Sequence, residues 1–256
     1  MTMKNEKIKL TPVSLLHYIR LVYRSVLFLA VFAAYIMERL KYGSLIIIDQ
    51  LPIVQVVWVI FVIEMALRFF PSRFESPGCQ KQFPGNYIKS GSTEISVQDN
   101  HATMLVALIW ICLNALIGAL YMSDILDDGI MILICCAYSV CDMICILFFC
   151  PFQSWFLKNK CCSTCRIYNW DYAMMFTPLF FVRNPYSWSL LAMAVILMIR
   201  WELTFYLHPE RFSEKTNEYL KCANCTEKLC THKKQLTTLW KQIAEFTAKR
   251  TKMLRK

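Results

Sequence analysis

Thiols are the side chains here whose type and spacing most invite chemistry. Thirteen cysteines are present, an odd number that argues against a complete disulfide framework. Two stretches concentrate them: Lys160-Cys161-Cys162-Ser163-Thr164-Cys165-Arg166, and Cys222-Ala223-Asn224-Cys225 continuing to Cys230 and His232. Each contains C-x-x-C, the spacing at which two thiolates reach one metal from a tight turn. Lys160, Arg166, Lys221 and Lys228 favour thiolate over thiol. A four-thiolate site from Cys162, Cys165, Cys222 and Cys225 is therefore expected, with Cys161, Cys230 and His232 as substitutes or as part of a second site.

Tetrahedral thiolate suits an iron-sulfur cluster or zinc equally, and the ferredoxin run C-x2-C-x2-C-x3-C-P is absent. The alternative is a pair of free or oxidisable dithiols. Cys135, Cys136, Cys141 and Cys145 lie in an apolar block, where cysteine behaves as a small hydrophobe and permits close helix packing. Cys150, just before Pro151, stays among the candidate ligands.

The second constellation is ionic. Glu64, Asp142 and Arg200 stand inside apolar blocks, each 13 or 14 positions from an expected outer helix end. At about 1.5 Å per residue they share one layer roughly 20 Å deep. Such a cluster serves as a proton or charge relay, or as polar contacts for a quinone head group; its plainer role is a buried ion pair, with Arg68 available to the second acid. The four histidines, His17, His101, His208 and His232, all fall outside the central apolar part, which disfavours a haem.

These groups need a scaffold, and composition says which. Of 256 residues, 57% are hydrophobic and 18% charged, and six are glycine; mean hydropathy is +0.39. That is too apolar for an ordinary soluble domain, and the long unbroken apolar blocks exclude a disordered chain, a collagen and a transmembrane barrel. An all-α, polytopic membrane protein is expected, with about six spans near 15–37, 51–70, 103–122, 129–149, 168–182 and 188–207. The fifth, YNWDYAMMFTPLFFV, is short and carries Pro178, so it either crosses or re-enters. No P-loop, dinucleotide-binding or hydrolase motif occurs.

Charge sets direction. With six spans and both termini cytoplasmic, the outer loops hold only Arg39, Lys41 and Arg183, beside Asp124, Asp127 and Asp128, whereas the tail after Leu207 alone carries twelve Lys or Arg. A five-span chain would export that tail. The first apolar block follows a basic start but lacks a convincing cleavage site and reads as retained. Residues 71–100 look like a connector without a core of its own. Residues 208–256 read as a cytoplasmic tail ending in a basic amphipathic helix, with Leu236, Leu239, Trp240, Ile243 and Phe246 on one face. Its expected partner is anionic lipid of the inner leaflet rather than nucleic acid.

The function expected from these features is a cell-membrane protein with a cytoplasmic cysteine-ligated metal centre, iron-sulfur first, passing electrons to or from the membrane and a redox partner protein. Two rivals are a scaffold or small transporter held by a structural zinc clamp, and a membrane thiol-disulfide enzyme.

Overall fold

A computed structural model describes residues 11–42, 52–70, 82–97, 100–159, 164–225, 230 and 233. The order is α1 (Pro12–Tyr42), α2 (Pro52–Phe69), α3 (Asn100–Met122), α4 (Asp128–Leu147), a broken helical segment containing α5 (Asp171–Phe176), and α6 (Pro185–Leu207). Among the described residues there is no strand, only an isolated antiparallel bridge between Lys89 and Asn217. Four helices, α1, α3, α4 and α6, are long and apolar enough to cross a membrane.

Local sequence explains the helix ends. Asp127 caps α4 by accepting from the Ile130 N–H at 2.9 Å, and Asn184 caps α6 through the Tyr186 N–H at 2.8 Å, with Pro185 in the first turn where its missing N–H costs nothing. Pro151 disfavours helical geometry at the residue before it, so α4 stops at Leu147 and Cys150 stands clear of it. The chain then makes a short π-helix, Phe152–Phe156.

Contacts set the packing directions. Arg39 meets Asp127 at 3.0 Å and Arg24 meets Asp142 at 3.2 Å, so fifteen residues back along α1 match fifteen forward along α4: the pair is antiparallel. Trp58 donates to Ser189 at 2.8 Å and Arg200 to the Phe69 carbonyl at 2.7 Å, so α2 and α6 advance eleven residues together and run parallel.

The segment expected near 168–182 is a 3-10 turn (Arg166–Trp170), α5 and a second 3-10 turn (Thr177–Phe180) in succession. Arg166 contacts Asn100 at the start of α3, Trp110 donates to Thr177 at 3.3 Å, and Phe181 lies against Gly118. The eighteen residue steps of α3 from Asn100 to Gly118 correspond to about 27 Å, so the broken segment runs beside α3 for most of its length. Its irregular backbone is enclosed: Tyr172, Met175, Phe176 and Leu179 are buried, and Phe61 packs edge-on against Phe176 with centroids 5.1 Å apart. Non-regular backbone is tolerated at membrane depth only where protein surrounds it.

The outward faces are apolar. Leu15, Ile19, Val22, Val26 and Leu29 of α1, and Met104, Leu108, Ile111 and Leu116 of α3, are all exposed. In water such bands would be a liability; hydrocarbon is the solvent that suits them.

At the end of the bundle where α2, α4 and α6 finish, residues 82–97 pack on 209–221. Ser90 donates to the Thr216 carbonyl at 2.9 Å and Glu218 to the Ile88 carbonyl at 2.8 Å. Phe83 is buried against Trp201 with centroids 5.2 Å apart. This part of the expected connector is therefore docked into the main core, because Phe83 gives it an apolar anchor. The expected amphipathic helix beyond Lys233 lies outside the described residues.

A Cβ on Gly118 would sit 2.1 Å from the Phe181 ring. Gly118→Val is expected to cost about 1–3 kcal/mol through overpacking, and adding Phe181→Ala to recover most of it. Thermal unfolding in detergent measures both; a neutral single variant would contradict the close approach.

Candidate functional site

The centre of the bundle is held by guanidinium groups. Arg24 Nη2 donates to Glu64 Oε2 at 2.7 Å, and Nη1 donates to Asp142 Oδ2 at 3.2 Å and to the Ser139 carbonyl at 3.1 Å. The Tyr172 hydroxyl also donates to Glu64 Oε2, at 3.1 Å. Arg68 grips Asp171 with both nitrogens, at 2.8 and 2.6 Å, and lies over the Tyr172 ring at 4.7 Å. Arg24 and Arg68 are almost fully buried. Arg20, one turn from Arg24 on the same face of α1, is buried as well. Three carboxylates and three guanidiniums make the group balanced in formal charge.

Glu64 and Asp142 therefore meet, as their depth suggested, but through Arg24. Arg200, expected as the third member, faces the Phe69 carbonyl and lies 5.6 Å from the Phe69 and Phe83 rings. Asp171 and Tyr172 joined the cluster without being anticipated. The signal for Arg24 was present: an apolar block extended back to Leu15 already encloses Arg20 and Arg24.

Beside this cluster lies a cavity of about 260 Å³. Asp142 and Asp171 form its ionic side; Trp110, Tyr138, Phe152 and Tyr168 supply rings, and Met174 and Met175 thioethers. Four thiols face it: Cys141, Cys145, Cys150 and Cys165. Trp110 and Tyr138 pack with centroids 4.8 Å apart at its upper wall. The membrane cysteines thus divide. Cys135 and Cys136 are buried in the apolar core, as expected of small hydrophobes, whereas Cys141 and Cys145 line open space.

At the lower rim the Cys150 sulfur accepts from the Gln153 N–H at 3.4 Å, and Cys145 lines the same space beside it. Lys233 reaches in from the tail, donating to the Cys145 carbonyl at 2.7 Å and to Gln153 Oε1 at 3.4 Å. Cys150 stands three residues beyond the end of α4. The neighbouring Cys145 thiol, the Gln153 amide and the Lys233 charge outweigh partial burial and pull its pKa below the usual thiol range.

Cys165 of the first C-x-x-C stretch lies at the end of the bundle from which the second stretch leaves α6, because the adjoining Arg166 pairs with Glu202. Cys165 is buried with Val106, Leu157 and Ile167. Cys222 is exposed and Cys225 half-buried, flanking a 3-10 turn in which the Cys225 N–H donates to the Cys222 carbonyl at 3.3 Å. Cys230 is half-buried. Cys161, Cys162 and His232 lie outside the described residues. Among the described residues, no three His, Cys, Asp or Glu side chains are grouped so as to hold a metal ion.

Fold and site together define an all-helical bundle with membrane-suited helices around an ionic core and a sulfur-lined cavity. No protein-family model, curated protein or solved structure matches the chain.

Removing Arg24 leaves two buried carboxylates without their cation. Arg24→Met is expected to cost about 3–5 kcal/mol, and the addition of Glu64→Gln and Asp142→Asn to restore much of it. Arg200→Met, which removes one hydrogen bond to a carbonyl, is expected to cost about 1–2 kcal/mol. Thermal unfolding of detergent-purified variants ranks them, and an Arg200 variant as damaged as the Arg24 variant would contradict the assignment.

Proposed function

We propose that this chain is a multi-pass redox protein of the cell membrane, in which sulfur at the cytoplasmic end of the bundle exchanges electrons with a lipid-soluble partner in the cavity. Six segments cross the bilayer in this reading, with both termini cytoplasmic. The excess of cations at the end carrying residues 82–97 and 208–225 supports that orientation, and the path of residues 166–181 beside α3 supports the sixth crossing.

One observation carries the proposal: Cys165 belongs to a C-x-x-C stretch and also lines the cavity beside Asp142 and Asp171. A thiolate-held centre there would abut a lipophilic site and an ionic cluster suited to balancing charge. Cys162, Cys165, Cys222 and Cys225 hold that centre, with Cys161, Cys230 and His232 as further ligands. An iron-sulfur cluster is the first choice because it carries electrons; Glu64 and Asp142 then manage protons, with Arg24 as their counter-ion. The tail helix rests on anionic inner-leaflet lipid, and a soluble redox protein exchanges electrons at this end.

A second reading is a structural zinc clamp on a scaffold or small transporter. The Arg166–Glu202 ion pair favours it, since it already ties the chain beside Cys165 to the end of α6 from which the tail leaves.

Protein purified without oxygen is expected to be brown and to contain iron and sulfide, with Cys225→Ser bleaching the colour. Elemental analysis decides: a colourless, iron-free protein with one zinc per chain selects the clamp.

A further inference from the structure

Cys145 and Cys150 line the same cavity side by side, where α4 breaks before Pro151, and the Cys150 sulfur is already a hydrogen-bond acceptor there. Two neighbouring thiols are a two-electron donor in their own right. The surroundings fit a ring-shaped acceptor. A dry cavity of about 150 Å³ accommodates benzene, so about 260 Å³ has room for one substituted six-membered ring. Trp110 and Tyr138 offer apolar faces to stack on, and Gln153 stands by the thiols as a polar contact.

We propose that Cys145 and Cys150 are a redox-active dithiol that reduces a lipid-soluble quinone seated in this cavity. The inference rests on the membrane-redox reading and names the partner of the same cavity, but it does not require the metal centre. The Cys150 thiolate adds to an electrophilic ring carbon. Cys145 gives its proton to a ring oxygen and attacks the Cys150 sulfur. An S–S bond forms, the S–C bond breaks, and its electron pair leaves on the ring, which takes a second proton from water at the cavity mouth. Two thiols and one quinone become one disulfide and one hydroquinone. Lys233 and the Gln153 amide stabilise the attacking thiolate.

The test uses full-length protein in detergent, reduced, desalted without oxygen and mixed with decylubiquinone. Quinone loss is followed by ultraviolet absorbance, and the products by peptide mass spectrometry. One equivalent of quinone is expected to disappear while wild-type protein gains a Cys145–Cys150 disulfide. Cys150→Ser and Cys145→Ser are each expected to slow the reaction at least about tenfold, while Cys112→Ser, exposed and away from the cavity lining, leaves it unchanged. Disulfide mapping in the wild type needs no variant to fold. Only stable quinone adducts, or a disulfide elsewhere, overturns the proposal. Metal content measured on the same samples keeps the two readings apart. Quinone reduction through Cys145 and Cys150 in a metal-free protein removes the metal centre alone. Iron-containing Cys150→Ser protein that reduces quinone at the wild-type rate removes the dithiol alone.

Discussion

The contact on which the arrangement depends is one guanidinium held between two carboxylates. Arg24 of α1 touches Glu64 of α2 and Asp142 of α4, so a single buried cation decides which faces of three helices meet. Apolar side chains cannot do this in lipid, because hydrocarbon solvates leucine as well as another helix does. Unpaired charge at that depth is costly, so these ion pairs restrict how the helices can be placed against one another. Arg68 and Asp171 do the same for the broken segment, tying it to α2. The cavity lies beside this ionic wall, with Asp142 and Asp171 among its lining residues.

Much of this was legible in the chain, and what was not has a geometric reason. The apolar blocks announced α1, α3, α4 and α6 within a few residues, since length and hydropathy are what hydrocarbon selects. Depth along a helix was equally readable, which is why Glu64 and Asp142 were found in one layer. Depth carries no information about azimuth, however. Arg200 shares the layer, yet the parallel register of α2 with α6 turns it toward Phe69 and away from the acids. Arg24 stands at the junction of a weaker apolar run and a stronger one, and α1 runs straight through both, from Pro12 to Tyr42.

The thiols teach a related lesson. Sequence spacing drew notice to the C-x-x-C pairs, whereas Cys145 and Cys150 are five apart and do not share a helical face. They meet because Pro151 ends α4 early and lets the chain fold under its own last turn. Cys135 and Cys136 pack as hydrophobes in the same helix. The difference lies in which side of α4 faces the core and which faces the cavity, and the block alone, apolar all round, does not reveal it.

The broken segment also bears on how the chain enters its membrane. Its backbone is divided into two 3-10 turns about an α5 of only six residues, so residues 166–180 make no independent helix long enough to cross a bilayer. Shelter comes from α4 before it and α6 after it. In a bilayer such a piece would have to enter together with the helices that cover it and not ahead of them, which would make α6 a partner in its insertion as well as the next element in the chain.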